Sequence, residues 1–122
     1  MPRGSPCAEP RPPRATVRRR EAGRVEKVRV QQGEGQSPAA MEAALRDEGF
    51  EPFRWSNAAG YHYAPHDHDY DSVIVCTAGT ITFHVEGRDM VLRPGDRIDL
   101  PAGIQHAATV GPEGVECLEG TS

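Results

Sequence analysis

A chain of 122 residues is one domain at most, and its apolar content of 37% is below the roughly 45–50% of ordinary globular domains, so part of it stays outside the core. No apolar run approaches the roughly 18 residues of a membrane-spanning helix, and no apolar stretch follows the basic start as a secretory signal requires. The net charge of −4 hides an asymmetry: residues 1–31 carry nine Lys/Arg against three Asp/Glu, and residues 32–122 carry five against fifteen.

Residues 1–24 are rich in Pro and Arg and nearly devoid of apolar side chains, so they cannot offset their ordering entropy by burial and read as a disordered basic tail. A nucleic-acid-binding arm is the functional alternative. No aromatic residue interleaves the arginines, so a solvated tail is preferred and nucleic acid is not expected as a partner. A translation start near Val25 or Met41 would remove the tail. Cys7, Cys76 and Cys117 are odd in number and lack paired spacing, which fits a reducing, cytoplasmic setting.

Residues 25–49 read as an N-terminal strand and helix. Val25, Val28 and Val30 suit a short edge strand. Ser37 is placed to cap a helix with Pro38 at its first position, residues 39–48 have high helix propensity, and Gly49 is the natural stop. Met41 and Leu45, with Ala44 beside them, form a narrow apolar stripe that packs on the outside of whatever follows.

From residue 50 to 122 the texture is short strands punctuated by turns. Phe53 and Trp55 alternate with Arg54 and Ser56, and residues 57–60 turn. Tyr61 to His68 is a strand interrupted by Pro65, which suits an edge or a bulge. Ser72 to Thr77 is a strand, Ala78-Gly79 a turn, and residues 80–86 alternate with Ile81, Phe83 and Val85 on one face. Gly87-Arg88 closes a hairpin onto residues 89–92. Arg93 to Asp96 turn, with the Asp96 carboxylate capping backbone amides. Strands then cover residues 98–100, 105–110 and 115–119, separated by turns at 101–103 and 111–114. Strands at this spacing without helices between them indicate a sandwich or barrel.

His66 and His68 are two apart, so on a strand they share a face about 7 Å apart. Two imidazoles on one face can hold one metal ion if a third ligand arrives from elsewhere, and His106 is the candidate. Gly60, five residues, His66, one residue, His68 and later Gly79 resemble the first cupin motif. Gly95, five residues, Pro101, one residue, Gly103, two residues, His106 resemble the second. The resemblance to the cupin superfamily covers roughly residues 50–120 and implies an all-β jelly-roll barrel, to which the helix and the disordered tail are added. It implies a divalent metal (Fe, Mn, Ni or Zn) on His66, His68 and His106, and a homodimer.

The match is incomplete: Ser72 stands where the motif has a glutamate, and Val110 where an asparagine often follows. Asp71, one residue earlier, is a candidate ligand or a partner for a ligand histidine, although regular strand geometry turns it to the wrong face. With the carboxylate gone, three neutral histidines leave a dication with about +2 rather than about +1, a stronger Lewis acid. His62 could line the pocket, but Pro65 can reset its face. His84 reads as a surface residue or a supporting one, and Cys76 as a small buried hydrophobe. Only Asp71 and His62 stand out as bases. The expected function is a metal-binding small cupin, a metalloenzyme of oxygenase or isomerase type acting on a small molecule; the alternative is a non-catalytic small-molecule binding or sensing module.

Overall fold

The computed structural model describes residues 28–33 and 36–121. The expected tail over residues 1–24 and the Val25 end of the first strand lie outside the described residues. Seven strands and one helix follow: β1 (Val30–Gln31), α1 (Pro38–Asp47), β2 (Phe53–Asn57), β3 (His62–His66), β4 (Ser72–Val85), β5 (Arg88–Leu92), β6 (Arg97–Leu100) and β7 (His106–Thr121). All pairings are antiparallel in the order β1-β6-β4-β7-β2, with β3 on β7 and β5 on β4.

The two long strands organise the barrel. The first half of β4 pairs with β6 and its second half with β5, while β7 pairs first with β3 and then with β2. Each changes partners where it bends. Here two expectations are corrected. Ala78-Gly79 is not a turn between strands, and residues 111–114 do not interrupt the last strand; both lie inside continuous strands. What looked like punctuation is a pair of bulges, with register shifts between Cys76 and Ala78 and between Gly79 and Ile81. At that bend Gly79 has φ +73, and a Cβ there would sit 1.9 Å from the Gly114 carbonyl oxygen. The glycines let two sharply bent backbones touch. The β4–β5 hairpin turns at Glu86 and Gly87, which both have positive φ (49° and 81°), as a twist-compatible two-residue connection demands.

Alternation sorts β4 into two faces. Ile74, Cys76, Ile81, Phe83 and Val85 point into the barrel core, and Val73 and Val75 point outward under the helix. Both faces are covered, so residues 72–76 read as a continuous buried run. Ser37 Oγ accepts the Ala40 amide at 3.1 Å, which caps α1. Met41 and Leu45 pack against Val73, Val75 and Leu118, and Ala44 stays exposed. Burying each of those two side chains is worth roughly 1.5–3 kcal/mol, so packing rather than propensity holds this ten-residue helix. Arg97 adds a fork to Glu48 (2.6 and 2.8 Å) and to Asp99 (2.7 and 3.1 Å), tying the helix end to β6.

Candidate metal centre and ligand cavity

The first two histidines are placed by a fault in a strand. His62 pairs with Thr109 and Tyr63 with Ala108, but the next pair is His66 with His106. Three residues of β3 therefore oppose two of β7, and the surplus falls at Ala64-Pro65, where proline cannot serve a regular ladder. The bulge resets parity. Tyr63 and His66 face inward, while His62 faces outward and meets Thr109 Oγ1 at 3.1 Å. His68 follows just beyond the strand end, held by the Gly103 amide on its carbonyl (2.7 Å), and its ring stacks on Tyr70 at 4.7 Å.

The rings of His66, His68 and His106 converge, each offering a nitrogen, with all three atoms within 4.8 Å of one another. Two rings have a fixed tautomer. His66 Nδ1–H donates to the Ala64 carbonyl at 2.8 Å, and His106 Nδ1–H donates to the Ile104 carbonyl at 2.9 Å. Each then presents Nε2 with its lone pair, the arrangement that supporting carbonyls give metal-binding histidines. Burial pushes the His106 pKa down to about 4, with the neighbouring histidines acting the same way. His68 is lowered too, first by burial and then by His66. The two Nδ1–H···O=C bonds free the Nε2 lone pairs of His66 and His106, and burial disfavours the protonated forms of His68 and His106, so the donor set fits a divalent ion.

The trio forms one wall of a cavity of about 320 Å³ inside the barrel, whose other walls include Trp55, Tyr63, Phe83 and Ile74. Two polar groups share it. Ser72, 3% exposed, points inward as strand parity predicts, and its hydroxyl has no hydrogen-bond partner of good geometry among the described residues. Glu119 projects from the far end of β7, where its Oε1 accepts the Trp55 Nε1–H at 2.9 Å. Burial raises the Glu119 pKa; the Trp55 bond, the adjacent Ser72 hydroxyl and the field of His66 offset part of that rise.

The sequence profile of the AraC-like ligand binding domain matches residues 49–118, more than half of the chain. The chain belongs to that family. The AraC-like domain is also similar in fold to solved cupins. It shares 24% identity with an RmlC-like cupin from Shewanella frigidimarina, with a TM-score of 0.54 over 58% of this chain and 63% of that one. It shares 19% identity with a cupin superfamily protein from Desulfitobacterium hafniense, with a TM-score of 0.54 over 77% and 75%. KdgF from Halomonas sp. is 24% identical, with a TM-score of 0.50 over 57% and 66%. The chain thus spans less than two thirds of the Shewanella protein. No curated protein matches it.

The remaining histidines and carboxylates of the AraC-like domain lie elsewhere. The Asp71 carboxylate accepts the Ala102 amide at 2.8 Å and pins the Pro101–Gly103 turn; it is not among the groups that converge with the trio. His84 bridges Asp89 (2.7 Å) and Thr109 (3.0 Å) outside the cavity. Asp96 accepts the Arg93 amide at 3.0 Å and reaches toward the Gly33 amide at 3.4 Å, the turn role expected of it. Cys76 is fully buried opposite Cys117, and both thiols are free. Asp71 and His62, the two bases the sequence brought forward, are thus both absent from the cavity lining, and Glu119 is the acidic group found there. A signal for it existed: Val115, Cys117 and Glu119 share strand parity, so the carboxyl had to face inward with the other two.

Proposed function

We propose that this cupin-type domain binds a divalent metal ion through His66, His68 and His106 and takes a small organic ligand in the adjoining cavity. The observation that carries the reading is the pair of tautomer-locked rings, His66 and His106, converging with His68 on a largely apolar cavity. Three neutral donors suit Fe, Mn, Ni or Zn and leave coordination positions for water or ligand. A metal there would supply Lewis acidity; the chain supplies oriented histidines, aromatic walls and one carboxyl.

Two uses of such a site are supported by separate observations. Glu119, in the same cavity as the trio, is the group an oxygenase- or isomerase-type reaction would use to hold or accept a proton. The family's description as a ligand-binding domain favours non-catalytic binding or sensing. We further propose that the domain works as a homodimer; Phe53, 49% exposed on the terminal strand β2, supports this. The test of the metal reading is elemental analysis of the purified full chain and of His106→Ala, followed by an oxygen-uptake screen under iron. Stoichiometric metal in the wild type and its loss in the variant are expected. A wild-type protein that holds no first-row metal after supplementation overturns the reading, and metal without turnover selects the binding module.

A further inference from the structure

We propose that Glu119 is the recognition residue of the cavity, accepting a hydrogen bond from a hydroxyl or ammonium group carried by a small, largely apolar ligand. The inference rests on reading the cavity as a ligand site, and not on the metal.

Four observations lead there. First, the carboxyl has one rigid hydrogen-bond donor, with the Ser72 hydroxyl adjacent to it. Trp55 Nε1–H occupies Oε1 at 2.9 Å, and the indole itself packs edge-on to Tyr63 with centroids 6.0 Å apart, so the donor is a rigid part of the wall. The same carboxyl lines the cavity. Second, no Lys or Arg among the described residues forms an ion pair with Glu119, so none of those residues neutralises this carboxyl. A largely buried carboxyl costs free energy unless it is paired. Third, the Ser72 hydroxyl lines the same cavity, almost wholly buried and without a partner of good geometry among the described residues. Buried polar groups are seldom left so; the Ser72 hydroxyl lies close enough to lower the Glu119 pKa, and a polar ligand atom would complete the bonding of both. Fourth, the rest of the lining includes Phe83, Ile74 and Ile81, with Phe53 and Tyr70 contributing aromatic surface. That shape suits an apolar or aromatic body with a single donor at one end. The raised pKa of Glu119 is the electrostatic counterpart: an incoming donor, charged or neutral, relieves the desolvation that burial imposes.

Three probes of nearly equal size test this. Benzyl alcohol donates and accepts a hydrogen bond, benzylamine carries an ammonium donor, and anisole, an isomer of benzyl alcohol, only accepts. Their affinities are read by NMR titration of the cavity resonances of the full chain, as purified and again after chelation. In wild type, at least one donor probe is expected to be favoured over anisole. In Glu119→Gln the donor-to-anisole affinity ratio is expected to fall about tenfold, the size of one hydrogen bond to a charged acceptor. The glutamine carbonyl takes the Trp55 bond there, and its amide, a donor only, faces the ligand. Ser72→Ala should lower the benzyl alcohol ratio by a smaller factor. A fall confined to benzylamine assigns the site to a cation, and a fall for benzyl alcohol assigns it to a hydroxyl. A ratio unchanged by Glu119→Gln, or the absence of binding by all three probes, overturns the proposal. Because the chelated protein is included, loss of the metal reading leaves this outcome legible, and the reverse holds too.

Discussion

His66 and His106 are direct cross-strand partners, and each ring donates its Nδ1–H to the carbonyl two residues before it, leaving the ring centroids 4.4 Å apart. One local device, used once on β3 and once on β7, fixes both tautomers and aims both Nε2 atoms at one point. The strand pairing therefore orients the ligands before any ion arrives. His106→Ala is expected to lower the affinity for Zn²⁺ or Co²⁺ by on the order of 100-fold, with the far-ultraviolet dichroism of the barrel unchanged. Affinity within a few-fold of wild type in a chromophoric-chelator competition would count against the centre.

The same burial makes the metal-free protein sensitive to acid. The His106 pKa is about 4 in the fold, against 6.5 when unperturbed, so between those values the unfolded chain binds more protons. Stability then rises with pH across that window and is lost as pH falls from about 6.5 toward about 4. At about 1.4 kcal/mol per unit the upper bound is roughly 3 kcal/mol, and His68 is shifted in the same direction. Urea midpoints of the chelated protein at pH 7, 5.5 and 4.5 measure the slope, which should flatten in His106→Gln. An equally steep slope in that variant would assign the acid sensitivity to other groups.

Glu119 carries the opposite sign. Its folded pKa is raised above the unfolded 4.5, chiefly by burial, so its contribution is fully present below pH 4.5 and is lost as pH rises through the folded value. Glu119→Gln keeps the acceptor for Trp55 and removes the charge. The variant is expected to match wild type near pH 4 and to be more stable at pH 8, by about 1 kcal/mol, as is common when a functional group is removed from a site that strains the fold. Chemical denaturation at the two pH values decides it. A variant less stable at pH 8 would make Glu119 a structural residue.

Much of this was legible beforehand. Ser37, Pro38 and Gly49 bracket the helix because caps act locally. The histidine spacings mark the centre because each motif lies within one short stretch of chain, the bulge of β3 included. The bends were less legible. Ala78-Gly79 and residues 111–114 have turn composition, yet each strand continues through its bend, because a glycine that relieves a backbone contact looks in sequence like a glycine that turns. Glu119 is only half legible: strand parity turns it inward, but only pairing β7 with β2 brings it to Trp55, 64 residues away.

Gly79 separates those two roles. An alanine there must hold φ +73 and place a methyl 1.9 Å from the Gly114 oxygen, a backbone atom that cannot swing aside. Gly79→Ala is expected to cost about 3 kcal/mol or more, since strain and overlap add. Gly87→Ala, at φ +81 with nothing within 4 Å, meets only the conformational strain and should cost about 1 kcal/mol. Thermal midpoints rank the pair. Equal losses would mean that the bend tolerates displacement of β7.

Ser72 stands where related motifs hold a carboxylate, and its neighbours decide what restoring one would do. It is buried, inward-facing and beside Glu119. Ser72→Glu therefore places two carboxyls in one apolar pocket, where both cannot ionise at once and one pKa must rise steeply. The single substitution should tighten metal retention against a chelator only slightly. In the double variant Ser72→Glu/Glu119→Gln the new carboxyl can ionise and approach the trio as a fourth ligand, and retention should rise about tenfold or more. Asp71→Ala is the comparison, because Asp71 already serves the Ala102 amide. It should cost about 1 kcal/mol of stability and leave metal retention alone. A large loss of metal from Asp71→Ala, with no gain from the double variant, would transfer the fourth-ligand role to Asp71 and remove Ser72 from the account.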